Sequence, residues 1–292
     1  MWFKNLRFFR LHPDWNLNAL DESVAKQAFT PGGSQDPISL GWTAPRDESN
    51  LVHRVEGQIL LCAKAEKKLL PTTVINQIAR ERAKEKAAEQ GYKVGRKQLK
   101  DLKDDLITEL LPRAFSVKRE VLVWIDPINR WLAVDAAAAA TADEVMGLLA
   151  KTFEVFPAVP VYTERSPSTA MTGWLADFNA PYPFSIDQDA ELRASGESRS
   201  VVRYARHNLD SDEVRKHISD GKQCTRLALT WADKISFVLT DGLEIKRLLP
   251  TDLLTEQKEQ SAQDEAHSFD SDFLLMSTEL NVLLSELLEE LN

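Results

Sequence analysis

The residues that could carry out catalysis are few, and none of them forms a known arrangement. The five histidines lack the spacing of metal ligands, and no serine or cysteine lies in a nucleophile motif. Asp210 and Asp212 resemble part of a calcium loop, but the glycine and the distal glutamate of such a loop are missing. We therefore interpret them as residues that cap a helix, and we expect neither a catalytic metal nor a cofactor.

Binding chemistry has a stronger signal, because one segment carries a charge opposite to that of the whole chain. The 292 residues have a formal net charge of −9. Residues 64–119 contain 15 Lys and Arg against 8 Asp and Glu, a net charge of +7, so the rest of the chain is near −16. A basic surface on an acidic protein is typical of a site that meets a polyanion in one orientation.

The end of this basic segment, residues 113–119 (RAFSVKR), places an aromatic side chain among three cations. Cations follow the phosphates of nucleic acid, and an exposed aromatic ring can press on a sugar or a base. The pattern therefore favours a nucleic-acid contact made by Arg113, Phe115, Lys118 and Arg119. Spacing alone equally allows Phe115 to lie in the core and anchor the segment.

A second basic cluster lies beyond residue 198. Its members are Arg199, Arg203, Arg206, His207, Lys222 and Arg226. Side chains alternate between the two faces of a strand, so Arg203 and Arg206 would point in opposite directions. We therefore expect only part of this cluster to meet a single ligand. Lys246 and Arg247 form a third, weaker group. No spacing matches a helix-turn-helix, a zinc finger or an RNP motif, so base-specific recognition has no support.

Two predicted helices, at 72–90 and 96–111, must position most of the basic segment. A turn that contains Gly91 and Gly95 joins them, and a stripe of apolar residues would pack the second helix against the first: Leu99, Leu102, Leu106 and Leu110. A helix of about 19 residues is roughly 28 Å long, so this hairpin can project from the body. The acids between its cations allow a second interpretation, in which the helices are merely ion-paired and solvated.

Strands and helices alternate irregularly on either side of the hairpin. The predicted strands lie at 2–11, 52–64, 120–125, 130–135, 200–206, 224–231, 235–239 and 243–249, and the Pro-containing run at 156–162 is either an edge strand or a connection. The predicted helices lie at 18–29, 140–153, 169–178, 187–194 and 211–219, with a C-terminal helix that runs to 291. A turn is predicted at 47–50. This pattern indicates an α+β fold with mixed or antiparallel sheets and a projecting helical hairpin.

The same pattern suggests three structural units. They are a central α+β domain formed by 1–70 with 120–180, the projecting hairpin at 71–119, and a C-terminal α+β domain at 181–292. No apolar run is long enough to span a bilayer, and residues 1–7 lack the apolar core of a signal peptide. Cys62 and Cys224 lie in apolar, strand-like runs, which favours buried free thiols and a cytoplasmic location.

Several short motifs occur in order along nearly the whole chain. They are WFKNL at 2–6, AFTPGGSQD at 28–36, LLPRAFS at 110–116 and FDSDFLLMSTEL at 269–280, with further pieces at 41–42, 124–126, 217–222 and 225–231. In these motifs the chain resembles the bacterial RdgC family of recombination-associated proteins. The resemblance implies a nucleoid-associated protein that binds double-stranded DNA without sequence preference, and single-stranded DNA more weakly.

The resemblance also implies an assembly and a role. Members of the family form a ring-shaped homodimer that encircles the duplex and restrains the RecA recombinase by competing for DNA. No catalytic activity is implied. By position, the basic inner surface of the ring maps onto Lys64, Lys67, Lys68, Arg113, Lys118, Arg119, Arg203, Arg206 and Lys222, with Phe115 as the aromatic residue of the motif. The chain departs from the family pattern in the many acids of its hairpin and in His207, where relatives have an amide.

Two other interpretations stay open. Asp210, Asp212 and nearby acids could hold a metal ion in a structure-selective nuclease, or the hairpin could dock another protein instead of DNA. In a ring with two-fold symmetry, the hairpin ends and the apolar C-terminal helix are candidates for the two contacts between copies.

Overall fold

A computed structural model describes residues 2–46, 50–196, 199–254 and 265–292, with side chains from 268 onward in the last range. The turn predicted at 47–50 lies mostly outside the described residues. The fold is α+β with one large antiparallel sheet, which confirms the predicted class. Among the described residues, no helix combines the length and the apolarity that crossing a bilayer requires.

The strands of the described residues form a single 12-stranded sheet. They are β1 (Asn5–Leu11), β2 (Ile38–Thr43), β3 (His53–Val55), β4 (Gln58–Lys68), β5 (Ser116–Asp126), β6 (Trp131–Val134), β7 (Ala158–Val159), β8 (Phe184–Ala194), β9 (Val201–Tyr204), β10 (Lys222–Trp231), β11 (Ile235–Thr240) and β12 (Ile245–Pro250). Their order is β2-β4-β5-β6-β1-β12-β11-β10-β8-β9, with β3 beside β4 and β7 beside β1. Strand β1 joins the two halves, because its start pairs with β12 and its middle with β6. The proposed domain boundaries stay a prediction.

The described α-helices flank this sheet or project from it. They are α1 (Leu20–Lys26), α2 (Thr72–Gln90), α3 (Arg96–Leu110), α4 (Ala139–Thr152), α5 (Pro167–Asp177), α6 (Asp212–Ser219) and α7 (Glu265–Glu289). A short 3-10 turn, Leu111–Arg113, follows α3. The predicted helices at 72–90 and 96–111 are therefore confirmed to within one residue.

Two element predictions are wrong. The single strand predicted at 52–64 is two antiparallel strands, β3 and β4, because Glu56 and Gly57 adopt positive φ and form a turn between them. Residues 187–194 are not a helix but part of strand β8, which pairs with β10 on one side and β9 on the other. The segment contains Ala, Glu, Leu and Arg, which are strong helix formers, so local propensity favours a helix. Burial of Ala190 and Leu192 in the core and pairing on both edges override that propensity.

Two apolar clusters cover the two faces of the sheet near β4 and β5. Alternate residues of these strands, such as Leu60 and Trp124, contribute to a cluster that also contains the apolar side chains of α5 and α7. The intervening residues, such as Leu61 and Val123, contribute to a second cluster with α4. The apolar face of α7 is thus buried in its own chain and is not available to a second copy, whereas a contact between copies through the rest of this helix stays a prediction.

The helical hairpin is inserted between two neighbouring strands. Strands β4 and β5 pair in one continuous antiparallel ladder that ends at Lys68 and Ser116, and α2 and α3 occupy the connection between them. Ile75, Ala79 and Leu106 are buried where the two helices meet. An ion pair of 2.9 Å between Arg82 Nη1 and Glu109 Oε2 joins the helices across their surface. Part of the hairpin charge is therefore neutralised internally.

Candidate nucleic-acid interface

We call the end of the β4–β5 ladder, residues 64–68 and 113–119, the hairpin root. Directly opposed residues of an antiparallel pair point to the same face. Lys64 faces Glu120, Glu66 faces Lys118, and Lys68 faces Ser116 at the end of the ladder on that same face. The Lys64 Nζ donates to Glu120 Oε1 at 2.7 Å. On this face Lys64 is neutralised by its ion pair, whereas Lys68 and Lys118 form no ion pair with any described acid.

The other face of the hairpin root carries Lys67 and Arg119. Lys67 lies opposite Val117, and its exposed ammonium forms no ion pair or hydrogen bond with the described residues. Arg119 reaches back along the sheet to Glu144 of α4 and forms an ion pair with it. The sequence-predicted cations of the hairpin root thus lie close together along the chain, but they divide between two faces of the sheet.

Phe115 is 85% exposed, which excludes the interpretation that it anchors the hairpin in the core. The backbone N–H of Leu69 donates to the Phe115 carbonyl oxygen at 2.6 Å, so strand pairing continues one step beyond the ladder. Alternation then places Phe115 and Leu69 on the same face as Val117 and Lys67. Leu69 and Val117 are about half exposed as well. An apolar surface therefore lies beside the unpaired Lys67.

Arg113 ends the 3-10 turn that leads into β5, and it is exposed. Its charge acts on Glu109 one turn earlier. The pKa of Glu109 lies below its ordinary value, chiefly because Arg82 donates a hydrogen bond to it, with a smaller effect from Arg113. Arg113 thus remains available to solvent at the base of α3.

The second group of sequence-predicted residues lies at the opposite end of the sheet. Arg203 is in the edge strand β9, Arg206 follows that strand, and Lys222 begins β10. Seven steps separate β5 from β9 in the strand order, which at about 4.8 Å per step amounts to roughly 34 Å. Within one chain the structure therefore does not bring the two groups together. That spacing is close to one turn of B-form DNA.

The side chains of this second group differ in their partners. Arg203 Nε donates to Glu191 Oε2 at 2.7 Å, and Lys222 Nζ lies 3.1 Å from His217 Nδ1. The Arg206 side chain is exposed and has no described partner. His207 is stacked on Tyr204, with ring centroids 5.2 Å apart and an interplanar angle of 21°.

Sequence reasoning missed Glu191, which is buried and accepts hydrogen bonds from Arg203 and Arg193. A helix was predicted at its position, and in a helix it would not face β9 or β10. The only signal available was the alternation of buried Ala190 and Leu192 around it.

The candidate metal ligands Asp210 and Asp212 have a structural role. Both form ion pairs with Arg215, and Ser211 between them caps α6 by accepting a hydrogen bond from the Val214 N–H. The described residues contain no group of three or more His, Cys, Asp or Glu side chains that could hold a metal ion.

The two cysteines are buried and free, as predicted. Burial raises the pKa of both Cys62 and Cys224 to about 12. Neither thiol is therefore a nucleophile near neutral pH, because the thiolate is the reactive form.

Comparison with known proteins places these features in a context. The whole chain, residues 1–292, matches the family described as "Putative exonuclease, RdgC". Three relatives named recombination-associated protein RdgC are similar over their full length. The one from Bordetella parapertussis is 55% identical over 293 residues, covering 100% of this chain and 98% of the relative. The one from Cupriavidus necator is 52% identical with the same coverage. The one from Burkholderia cenocepacia is 50% identical over 291 residues, covering 99% of this chain and 95% of the relative.

Proposed function

The chain belongs to the RdgC family, and from that membership we propose that it acts in recombination as a sequence-independent binder of double-stranded DNA. The observation that carries the proposal is the set of cations at the hairpin root that lack an acidic partner among the described residues. Lys67 and Lys118 are exposed, Lys68 is half-buried, and exposed Phe115 lies at the end of the same strand pair, on the face that carries Lys67. Ammonium groups of this kind neutralise phosphates without reading bases.

The acidic remainder of the chain supports the same function. Outside residues 64–119 the net charge is near −16, and residues 250–292 alone have a net charge of −10. Such a surface repels a polyanion and directs it to the basic regions. Single-stranded DNA, which has a lower charge density, should bind more weakly.

The assembly that we propose is a homodimer that encircles the duplex. The two basic regions of one chain lie roughly 34 Å apart along the sheet, and two-fold symmetry would present four such regions to a duplex. The projecting hairpins are the candidates for closing the ring. A dimer of this kind, associated with the nucleoid, would limit RecA by occupying the DNA that RecA needs.

The proposal is tested by mobility shift on linear and circular duplex of one sequence, over a series of salt concentrations. If about eight phosphates are neutralised, log K should fall against log salt with a slope of about −7. An encircling protein should dissociate from linear DNA through the free ends and persist on circles. A slope of about −1 to −2, or strong preference for one sequence, would contradict sequence-independent phosphate binding.

A second candidate function is nuclease activity, because the matching family is described as a putative exonuclease. The acids that the sequence suggests for it, Asp210 and Asp212, are both paired with Arg215. Incubation of labelled duplex with the protein and magnesium or manganese separates the two functions. We expect intact DNA at protein concentrations that saturate binding, and metal-dependent shortening of the strands would establish the nuclease instead.

A further inference from the structure

An open pocket of about 230 Å³ is lined by residues of five strands, β8 to β12, in the half of the sheet away from the hairpin. Its charged and polar lining consists of Asp189, Glu191, Arg203, Tyr204, Arg226 and Arg247. Three arginines thus surround one concave surface, and arginine is the side chain that binds phosphate oxygens with two parallel hydrogen bonds.

A buried carboxylate at the bottom of the pocket orients one of these arginines. Glu191 is only 3% exposed, and its Oε2 accepts from Arg203 Nε at 2.7 Å. Because Arg203 uses its Nε for this bond, neither of its terminal NH2 groups has a hydrogen-bond partner among the described residues. The Arg203 side chain is 72% exposed, so those groups point towards solvent. Glu191 therefore holds the Nε side of the Arg203 guanidinium, and the terminal NH2 groups are available to a ligand.

Glu191 is held in its charged form by its neighbours. Burial alone would raise its pKa, but hydrogen bonds from Arg203 and Thr225 and the charge of Arg226 outweigh burial, so the pKa lies below its ordinary value. Thr225 Oγ1 donates to Glu191 Oε1 at 3.0 Å, and Arg193 Nη2 donates to the same oxygen at 3.2 Å. The third guanidinium beside Glu191 acts on it through its charge and donates no hydrogen bond to it among the described residues.

That third guanidinium belongs to Arg226, which is exposed in β10 directly opposite Glu191. Its side chain forms no hydrogen bond with any residue that the structure describes. Arg247 donates from Nη1 to Asp189 Oδ2 at 3.0 Å and is 70% exposed. The pocket therefore contains two arginines with one end fixed by an acid and one arginine with all its donors free.

Irregularities in strand pairing bring these groups to one place. Leu192 and Glu191 are neighbours in β8, but the β10 residues that pair with them are two positions apart. Thr225, which lies between those two residues of β10, is therefore an extra residue without a pairing partner in β8. Along β12 two residues, Arg247 and Leu248, face a single residue of β11. Arg247 has a positive φ of 52° at this bulge. Bulges re-aim side chains and are frequent beside binding sites.

A third irregularity lies in β8, where residues 187–189 face one residue of β10. It supplies Asp189, which accepts from Arg247 and also from the backbone N–H of Arg206 at 2.9 Å. Two of these departures thus lie at the pocket residues Arg247 and Asp189, and the third lies at Thr225, which donates to the pocket residue Glu191. Regular strands would have pointed these side chains elsewhere.

From this geometry we infer that the pocket seats one phosphate of the DNA backbone, with Arg226 and the free ends of Arg203 and Arg247 as its ligands. Glu191 is the positioning residue, because it fixes the guanidinium of Arg203 before the phosphate arrives. The inference rests on the proposed duplex binding and adds to it a defined phosphate site. A phosphodiester and free inorganic phosphate share the chemistry that the pocket recognises, and we assign the phosphodiester.

The test compares three variants with the wild-type protein by fluorescence anisotropy on one labelled duplex over a salt series. Arg226→Gln should reduce affinity about fivefold near 0.15 M salt and make the slope of log K against log salt shallower by about 0.9 for each pocket engaged. Lys151→Gln removes one exposed cation from α4 and is the matched control, for which we expect no change in slope.

The Glu191→Gln variant distinguishes two effects of Glu191 on DNA binding: its positioning of Arg203 and the negative charge that it adds. Loss of an acid makes the chain more positive, so an unorganised basic surface would bind the duplex more tightly. If Glu191 positions Arg203, the variant should instead bind about threefold more weakly. Circular dichroism and the midpoint of thermal unfolding report whether this buried substitution still folds. If it does not, Arg226→Gln decides the question alone.

Each outcome either supports or overturns the phosphate site. Weaker duplex binding by Arg226→Gln with a shallower slope supports the pocket. An unchanged slope for Arg226→Gln, together with normal wild-type binding, overturns the pocket and leaves the proposed function intact. Calorimetry with inorganic phosphate adds a second arm, in which loss of phosphate binding without loss of duplex affinity would assign the pocket to the free ion and overturn the inference. A wild-type protein that binds no duplex overturns the proposed function as well.

Discussion

The hairpin root and the arginine pocket are both basic, but they are built in opposite ways. At the hairpin root, Lys67 and Lys118 extend from a regular strand pair and have no described partner. In the pocket, three arginines lie over a buried carboxylate in strands that are interrupted by bulges. Lysine is a mobile point charge, whereas the planar guanidinium of arginine loses less freedom when it is already oriented. For the proposed DNA complex, we therefore expect the hairpin root to hold the backbone loosely and the pocket to fix one phosphate.

Each region has a cysteine on its supporting strand, which allows their rigidity to be compared. Cys62 lies in β4 and Cys224 in β10, and burial raises the pKa of both thiols from 9.0 to about 12. At about pH 8 the folded protein should react with a thiol reagent about a thousandfold more slowly than the unfolded chain, because the thiolate fraction differs by that factor. The reaction is followed by the absorbance of the group that the reagent releases. Single Cys62→Ser and Cys224→Ser variants assign each reaction rate to one thiol. Fast reaction of Cys224 alone would contradict a rigid pocket.

The same shift makes stability depend on pH in a known direction. The folded state keeps the two thiols protonated at pH values where the unfolded chain has lost those protons. Stability should therefore be complete below about pH 9 and fall progressively as pH rises towards about 12. Denaturant titrations of the wild-type protein and the double Cys→Ser variant measure this difference.

The next largest effect should come from charge reversal at the hairpin root. Lys67→Glu with Lys118→Glu removes two phosphate contacts and adds repulsion, so we expect duplex affinity to fall on the order of 30-fold near 0.15 M salt. The slope against log salt should become shallower by about 1.8 for each chain engaged. Lys26→Glu with Lys151→Glu gives the same net charge on exposed positions away from the root and is the control. Equal losses in the two double variants would mean that only net charge matters.

Phe115→Ala should have a smaller effect on binding and almost none on folding. The ring is 85% exposed, so its removal should change the free energy of unfolding by less than about 0.5 kcal/mol. Loss of its contact with DNA should weaken duplex binding about threefold to tenfold. Thermal unfolding and anisotropy measured on the same sample test both statements. A large fall in the midpoint of thermal unfolding would mean that Phe115 stabilises the fold.

The sequence predicted the two regions unequally, and the reason is physical. The helices of the hairpin have strong propensities and an apolar stripe, both of which are local, and they were predicted to within one residue. The exposure of Phe115 was undecided, because an aromatic residue after a helix packs inward or outward according to tertiary contacts. The division of the lysines between two faces required the register of β4 on β5 across the inserted hairpin.

The pocket could not have been predicted in the same way. Its central residue lies in a segment whose composition favours a helix, and β8 became a strand only because β9 and β10 pair with it. Its geometry further depends on bulges, which change the direction of single side chains without a strong local signal. Arg203, Arg206 and Lys222 were proposed from the resemblance, whereas Glu191 was not. The DNA contacts of all these residues stay predictions.

The insertion of the hairpin between two adjacent strands makes its length independent of the rest of the fold. The chain leaves β4 and returns to β5 at neighbouring positions, about 5 Å apart. The pairing of the two strands therefore does not depend on the length of the segment that connects them. One added turn in each helix would lengthen the arm by about 5.4 Å without shifting the ladder below it. In an encircling pair of chains, the aperture could therefore be widened or narrowed through the arm alone. On this proposal, a change in hairpin length alone would alter the diameter of the enclosed opening and leave the basic regions of the sheet unchanged.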